Sequence, residues 1–356
     1  MGGKNLHHED KKTIVAVFAL SHKGQNLIIY MNWLNRLPFE TSNLSDPTQY
    51  GFSRNRVRNV KLFVDDEVSL GLWHIIPENL LIDREKRSES SIIKMRTEIN
   101  QEFLQYYDED IDKVYDEALA RANHVFVYLH GNAQDRSAKH RVGTYNKILN
   151  HFENSHVIAF DYRGFGDSSG EPSEIGLVDD SVAVIEWVLK RIPNASKIYI
   201  LAHSLGSAVG AQAVRKLEQK YINIGGVAQL VMDYGGFPLL RPFSSFIGFQ
   251  SILKNMIHVK FNTEEIIGTL KCPILLIHGQ VDAVIPAAQS KNLFMKILNT
   301  TDVIKPSKYQ EYQYSEGSLF VSLSNQAQYL QLNHASHNDI HEHDITWKII
   351  KNTILQ

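Results

Sequence analysis

Residues Ile200–Val209 read ILAHSLGSAV. An apolar run ends here, a serine stands at the corner, and small residues follow. A strand that turns sharply into a helix lifts a serine hydroxyl above the sheet; this is the nucleophile elbow, usually written G-x-S-x-G. Gly206 fills the second glycine position, and Ser207, Ala208, Gly210 and Ala211 keep the start of the helix slim. Ala202 stands where the first glycine belongs. That position needs small size more than glycine torsions, so alanine suits the same reading. The simpler alternative makes Ser204 the N-cap of an ordinary helix. The partners of the serine decide between the two.

Around this corner the chain repeats one grammar. HVFVYL (His124–Leu129), HVIAF (His156–Phe160), KIYIL (Lys197–Leu201), Val227–Met232 and PILLI (Pro273–Ile277) are short apolar runs, separated by helical patterns such as Gly176–Lys190. Continuous apolar strands alternating with helices predict an α/β fold: a mostly parallel sheet covered on both faces. In such sheets the chemistry gathers at the carboxyl ends of the strands. VRNVKLFV and VSLGLWHII, around the acidic turn Asp65-Asp66-Glu67, read as two further strands ahead of the repeat.

The domain boundaries follow from these breaks in pattern. Residues 1–50 are an N-terminal extension whose segment Leu27–Leu37 (LIIYMNWLNRL) packs on the core or lies on a membrane surface, with the core favoured. Residues 51–356 form one domain. A charged, helix-prone stretch at about 82–120 reads as a surface insertion, and an aromatic, apolar stretch at about 234–265 as a small cap over the site.

Composition excludes some functions. The chain has 356 residues, 43% of them hydrophobic, and a formal net charge of −2, so no basic field points to nucleic acid. Cys272 is the single cysteine and has no intramolecular partner for a disulfide. Thr13–Leu34 is interrupted by polar residues at 21–26, and each half is too short to cross a bilayer. Met1-Gly2 hints at myristoylation, but Leu6 takes the place of the required Ser or Thr. Sequons at Asn43, Asn194 and Asn299 matter only in the secretory pathway.

A nucleophilic serine needs a base, and the base needs an orienting acid, in this fold in the order serine, acid, histidine. Asp282, just past PILLI, is the leading acid; Asp302 and Asp339 follow no strong strand and are weaker. His337 lies after the last predicted strand (Tyr329–Asn333) and is the leading base, with His334 second. His341 and His343 are expected on the final helix, facing solvent. Spacings of three and four among His334, His337 and His341 also allow a metal reading, but no H-E-x-x-H or cysteine accompanies them. No metal or cofactor is expected. For the oxyanion, the Leu205 N–H would supply one donor and Asn132 or Ala133, after HVFVYL, the other. His130, Phe237 and Phe243 are the candidates for the substrate pocket.

HGNAQDRSAKHR (130–141), FDYRGFGDSSGEPSEIGL (160–177), AHSLGSA, HGQVDAVIP and SHNDI together resemble the α/β-hydrolase serine lipases that act on lysophosphatidylserine and monoacylglycerol. VDDEVSLGLWHIIP resembles that family's first strand pair and LIIYMNWLNRLPF its pre-core segment, so the likeness runs from about residue 27 to the end, leaving 82–110 unmatched. The resemblance implies an α/β-hydrolase fold, the triad Ser204, Asp282 and His337, and a lipid ester as partner. It also implies a membrane-associated location at the endoplasmic reticulum, or a cytoplasmic one for a chain without the family's span. Three departures stand out: Ala202 at the elbow, Asp233–Phe237 (DYGGF) in place of an ESPF-like turn, and the absent span. Two alternatives remain open at this level. One is the same chemistry on a thioester, as in protein depalmitoylases. The other is a non-catalytic binder that keeps the fold.

Overall fold

The alternating grammar forms a single sheet in the computed structural model, which describes residues 21–36, 43–80, 103–220, 222–230, 261–300, 308–324 and 326–354. Among these residues the strands run in the order β1-β2-β4-β3-β5-β6-β7-β10-β9-β8. They are β1 (Val57–Phe63), β2 (Ser69–Ile75), β3 (His124–Leu129), β4 (Ser155–Phe160), β5 (Ile198–His203), β6 (Gly226–Leu230), β7 (Ile274–Gly279), β8 (Tyr309–Tyr314), β9 (Gly317–Ser322) and β10 (Ala327–Leu332). The run β4-β3-β5-β6-β7-β10 is parallel throughout. Antiparallel hairpins close both edges, β1/β2 at one and β9/β8 at the other.

The helices are α1 (His22–Tyr30), α2 (Phe103–Ala120), α3 (Lys139–His151), α4 (Glu174–Leu189), α5 (Leu205–Gln219), α6 (Ala288–Thr300) and α7 (Asp344–Ile354). Period-2 alternation divides each strand between two cores. Val125, Val127 and Leu129 of β3 join one cluster, with Ile200 of β5, Leu177 and Ile185 of α4 and Val209 of α5. Phe126 and Tyr128 face the other, with Leu275 and Ile277 of β7, Tyr145 of α3 and Trp347 of α7. An apolar run without alternation is what burial on both faces demands. Each such side chain contributes about 1.5–3 kcal/mol of transfer free energy.

Three expectations are corrected. The stretch at about 82–120 is not a surface insertion over its second half. In α2, Tyr115 and Leu119 are buried, the Tyr115 hydroxyl donates to the Asn55 carbonyl at 2.6 Å, and Arg58 binds Asp116 at 2.6 Å. The charges hide this, because among residues 112–120 only Tyr115 and Leu119 are buried. His341 and His343 are not on the final helix: His341 is buried in a 3-10 turn (Ile340–Glu342) and α7 begins at Asp344. The helical spacing behind the metal reading therefore does not exist, since 334–339 is not helical. The β8/β9 hairpin goes unread in the sequence, because β8 (YQEYQY) lies at an open edge where neither face is strongly apolar.

Within Leu27–Leu37, Ile29 and Tyr30 of α1 are buried in the first cluster, while Trp33 is exposed. Residues 81–102 and 231–260 lie outside the described residues, and with them most of the expected cap, Phe237, Phe243 and the DYGGF turn. Asp302 lies outside them too. Among the described residues no helix is long and apolar enough to cross a membrane.

Candidate active site

The carboxyl ends of β5, β7 and β10 bring the three leading residues together. Ser204 sits between β5 and α5 with φ 53° and ψ −120°. A non-glycine residue with this torsion is strained, and such strain persists only where the surroundings enforce it. The corner has no room to relax: a Cβ on Gly206 would collide with the carbonyls of Leu129 and His130. Ser204 holds the N-cap position of α5, yet its side chain makes no capping hydrogen bond. Its Oγ instead lies 3.2 Å from His337 Nε2. That disfavours the N-cap reading.

Ala202 fits the corner. It is fully buried on β5, facing α5, and a Cβ built on Gly210 would lie 3.5 Å from the Ala202 Cβ. That is an ordinary van der Waals contact, so the methyl at residue 202 packs against the start of α5 without crowding it.

Behind the imidazole, His337 Nδ1 lies 2.9 Å from Asp282 Oδ2. The Asp282 loop is self-bracing: Oδ1 accepts the Val284 and Ile285 N–H groups at 2.7 and 2.9 Å. Burial pushes the Asp282 carboxyl upward, but the hydrogen bonds from His278 and His337 and from the Ile285 N–H outweigh it and hold it well below the usual range. The base loop is stitched to the acid loop. The Gln280 N–H donates to the Leu332 carbonyl at 2.8 Å, and Ser336 N–H and Oγ bind the Asp339 carboxylate at 2.6 and 2.7 Å. Asp339 thus shapes the loop that carries His337 and does not touch its ring. His334 is exposed.

Three further groups support the site, and nothing in the sequence alone singles them out. His203 precedes the serine; its Nε2 donates to the His337 carbonyl at 2.8 Å, and burial holds its pKa well below the ordinary value, so it is neutral. His278 lies under the acid, with Nε2 3.0 Å from the Ile285 carbonyl and Nδ1 2.6 Å from Ser290 Oγ. Arg141 reaches from α3 to the carbonyls of the loop after β3. Each lies inside or beside a recognisable motif, but contact partners far apart in the chain cannot be read from spacing.

Two expectations at that loop are corrected. The Ala133 N–H donates to the Tyr30 carbonyl at 2.9 Å and is not offered to an oxyanion. His130 is fully buried below the loop, its ring against Tyr162 and Phe165 and its Nδ1 2.7 Å from the Gly131 carbonyl, so among the described residues it belongs to the packing beneath the loop and not to an open pocket. Leu205 is the first residue of α5, where N–H groups have no intrahelical partner and the helix dipole favours negative charge. The FDYRGFGDSSGEPS run is architectural. Arg163 forks onto Asp180 of α4 at 2.6 and 2.9 Å, Ser168 Oγ binds the Asp161 carbonyl at 2.6 Å, and the Gly71 N–H of β2 donates to Ser168 Oγ.

Buried imidazoles make the fold acid-sensitive. Burial lowers the pKa of His74, His130, His156, His140 and His203, to about 3 for His140 and His156. In the unfolded chain these groups titrate near ~6.5. Below that pH the unfolded state binds protons that the folded state does not, so stability falls as pH falls from about 6.5 toward 3, by up to about 1.4 kcal/mol per pH unit for each histidine. Urea denaturation should show a markedly lower midpoint at pH 5.5 than at pH 7.5. Equal midpoints would mean that these imidazoles carry protons in the folded protein.

Comparison with known proteins bears on the fold. A sequence profile described as alpha/beta hydrolase fold matches residues 124–223. The lysophosphatidylserine lipase ABHD12 of Xenopus tropicalis is 31% identical over 285 residues, 76% of this chain and 64% of that protein. The Danio rerio protein of the same name is 28% identical over 76% of this chain and 65% of its own length. The chain thus spans under two thirds of both. Human protein ABHD12B is 28% identical over 76% of this chain and 68% of its own. Among solved structures, an alpha-beta hydrolase of Vibrio vulnificus aligns with TM-score 0.57 and 13% identity, over 98% of this chain and 95% of that one. An esterase of Pyrococcus furiosus aligns with TM-score 0.53 and 16% identity, over 87% and 93%. At such identities these structures speak for the fold alone.

Proposed function

We propose, for a chain with the α/β-hydrolase fold, a serine hydrolase that cleaves carboxylic esters of lipids through an acyl-enzyme. The observation that carries this is the line from Ser204 Oγ to His337 Nε2 at 3.2 Å and from His337 Nδ1 to Asp282 Oδ2 at 2.9 Å. Ser204 Oγ attacks the ester carbonyl as its proton passes to His337 Nε2. Asp282, held ionised, fixes the Nδ1–H tautomer and stabilises the imidazolium. The Leu205 and Asn132 N–H groups receive the tetrahedral oxyanion. Collapse expels the alcohol, which takes the proton from His337. Water then repeats the sequence on the acyl-enzyme and frees the fatty acid.

The substrate class follows from likeness. The relatives named lysophosphatidylserine lipases support a lysophospholipid, and a monoacylglycerol presents the same ester. Peripheral contact with a membrane surface belongs to this reading, since such lipids reside there. Exposed Val281 and Val284 flank Asp282 and give that side an apolar rim.

The test is fatty-acid release by the purified full chain from phosphatidylcholine vesicles doped in turn with lysophosphatidylserine, lysophosphatidylcholine or monoacylglycerol, and from an S-acylated peptide. Flotation is scored in the same samples. Release from the lysolipid or monoacylglycerol, with protein floating on the vesicles, is the expected result. Faster release from the S-acylated peptide would assign a thioesterase. No release by folded protein from any of them would leave a ligand-binding α/β hydrolase.

A further inference from the structure

The loop between β3 and α3 carries a buried charge that the steps above do not use. Arg141 is 2% exposed. Its guanidinium takes the carbonyls of the loop itself: Nη1 donates to Asp135 at 2.7 Å, and Nη2 to Gly131, Asn132 and Ala133 at 3.2, 3.3 and 2.8 Å. The nearest acid in sequence, Asp135, turns its carboxylate to the Ser137 N–H and Oγ. Burying a cation is costly. Four charge-assisted bonds to backbone offset that cost and gather one loop around a single centre.

What this does to the loop follows from peptide planarity. In a trans peptide the carbonyl and the next N–H point in opposite directions. The Gly131 carbonyl is held by Arg141 Nη2 and by His130 Nδ1 at 2.7 Å, so the Asn132 N–H is turned to the far side. The next peptide shows the same rule at work: the Asn132 carbonyl goes to Arg141, and the Ala133 N–H emerges opposite, on the Tyr30 carbonyl at 2.9 Å. Gly131 adjoins the serine, since a Cβ built on it would lie 3.1 Å from Ser204 Cβ. Ala133 and Gln134 have φ of 55° and 52°, left-handed torsions that non-glycine residues adopt at a cost. Bonds to the carbonyls on either side hold them there.

We propose that Arg141 is a positioning residue for the oxyanion site: by drawing the carbonyls of loop 131–135 inward, it aims the Asn132 N–H at the carbonyl oxygen of the ester on Ser204. The proposal rests on the serine-hydrolase reading. Its effect belongs to the transition state, because the oxyanion forms only there, and so to kcat rather than KM.

The experiment compares wild type with Arg141→Lys and Arg141→Met, all as full chains, after thermal melts establish folding. Lysine keeps the charge and loses the fork that binds several carbonyls at once. For folded Arg141→Lys, kcat on a lipid ester should fall about 10- to 100-fold, the range of a weakened oxyanion donor. KM should stay within about twofold and the pH profile should keep its shape, since His337 and Asp282 are untouched. Affinity for an alkyl boronic acid, whose tetrahedral adduct on Ser204 mimics the intermediate, should fall in parallel with kcat. Arg141→Met should lose at least as much if it folds, and Arg141→Lys carries the test if it does not. Wild-type kcat and boronate affinity in folded Arg141→Lys would overturn the proposal and leave the hydrolase intact. A wild type that neither turns over ester nor takes up a fluorophosphonate at Ser204 would overturn the hydrolase reading itself.

Discussion

Ser204→Ala is expected to abolish covalent labelling by a fluorophosphonate probe and to lower kcat on a lipid ester by about 10⁶-fold, the scale on which removing a nucleophile from a working triad acts. The loss should come with little change in stability. The Ser204 side chain caps nothing on α5, and the bond from the Ser207 N–H to the Ser204 carbonyl, at 2.9 Å, is made by backbone. Alanine meets the same strained torsion that serine does, so the elbow gains no new strain. Residual turnover above the uncatalysed rate would come from the oxyanion donors and from binding. The check is in-gel fluorescence together with initial rates, on protein whose melting temperature matches wild type. Undiminished labelling in the alanine variant would put the reactive serine elsewhere and return Ser204 to the role of a strained helix start.

Much of this was legible from short apolar runs and the corners at their ends. Continuous burial leaves a mark that needs no alignment: HVFVYL and PILLI have no polar face because both faces are covered. That Ser204, Asp282 and His337 come together was legible because each follows a strand end, and parallel strands bring their carboxyl ends to one edge of the sheet. The supporting groups were not. Arg141 reads as one more charge in a helix of mixed composition, and only the folded loop shows its guanidinium facing carbonyls. The second half of α2 misleads for a related reason, since charged residues such as Asp112 and Asp116 reach back to Arg58 instead of facing water alone. The most selective stretch of the resemblance, DYRGFGDSSGEPS, is architectural: Arg163 and Ser168 fasten β2, β4 and α4. A family signature can thus mark the frame and not the chemistry.

Asp282→Asn separates the acid's electrostatic role from its shape. The amide has nearly the volume of the carboxylate, and its oxygen can still accept the Val284 and Ile285 N–H groups that close the turn. The amide nitrogen then stands where Oδ2 stood, 2.9 Å from His337 Nδ1, and it is a donor. His337 can meet it only with the lone pair of Nδ1, which moves the ring proton to Nε2 and points N–H at Ser204. An imidazole in that tautomer cannot take the serine proton, so kcat should fall about 10⁴-fold with the fold intact. Stability should respond as well. A carboxylate held below its ordinary pKa contributes stability that is present above the unfolded value near ~3.9 and is lost as pH falls below it. The deficit of the variant relative to wild type should therefore be largest at neutral pH and shrink below about pH 4. Rates by fatty-acid release and denaturation curves at pH 7 and pH 3.5 read both effects. A kcat within tenfold of wild type would remove Asp282 from the relay. Among the described residues the other carboxylate on the base loop is Asp339, which already holds Ser336 through both its oxygens, so the imidazole would then be oriented by its loop.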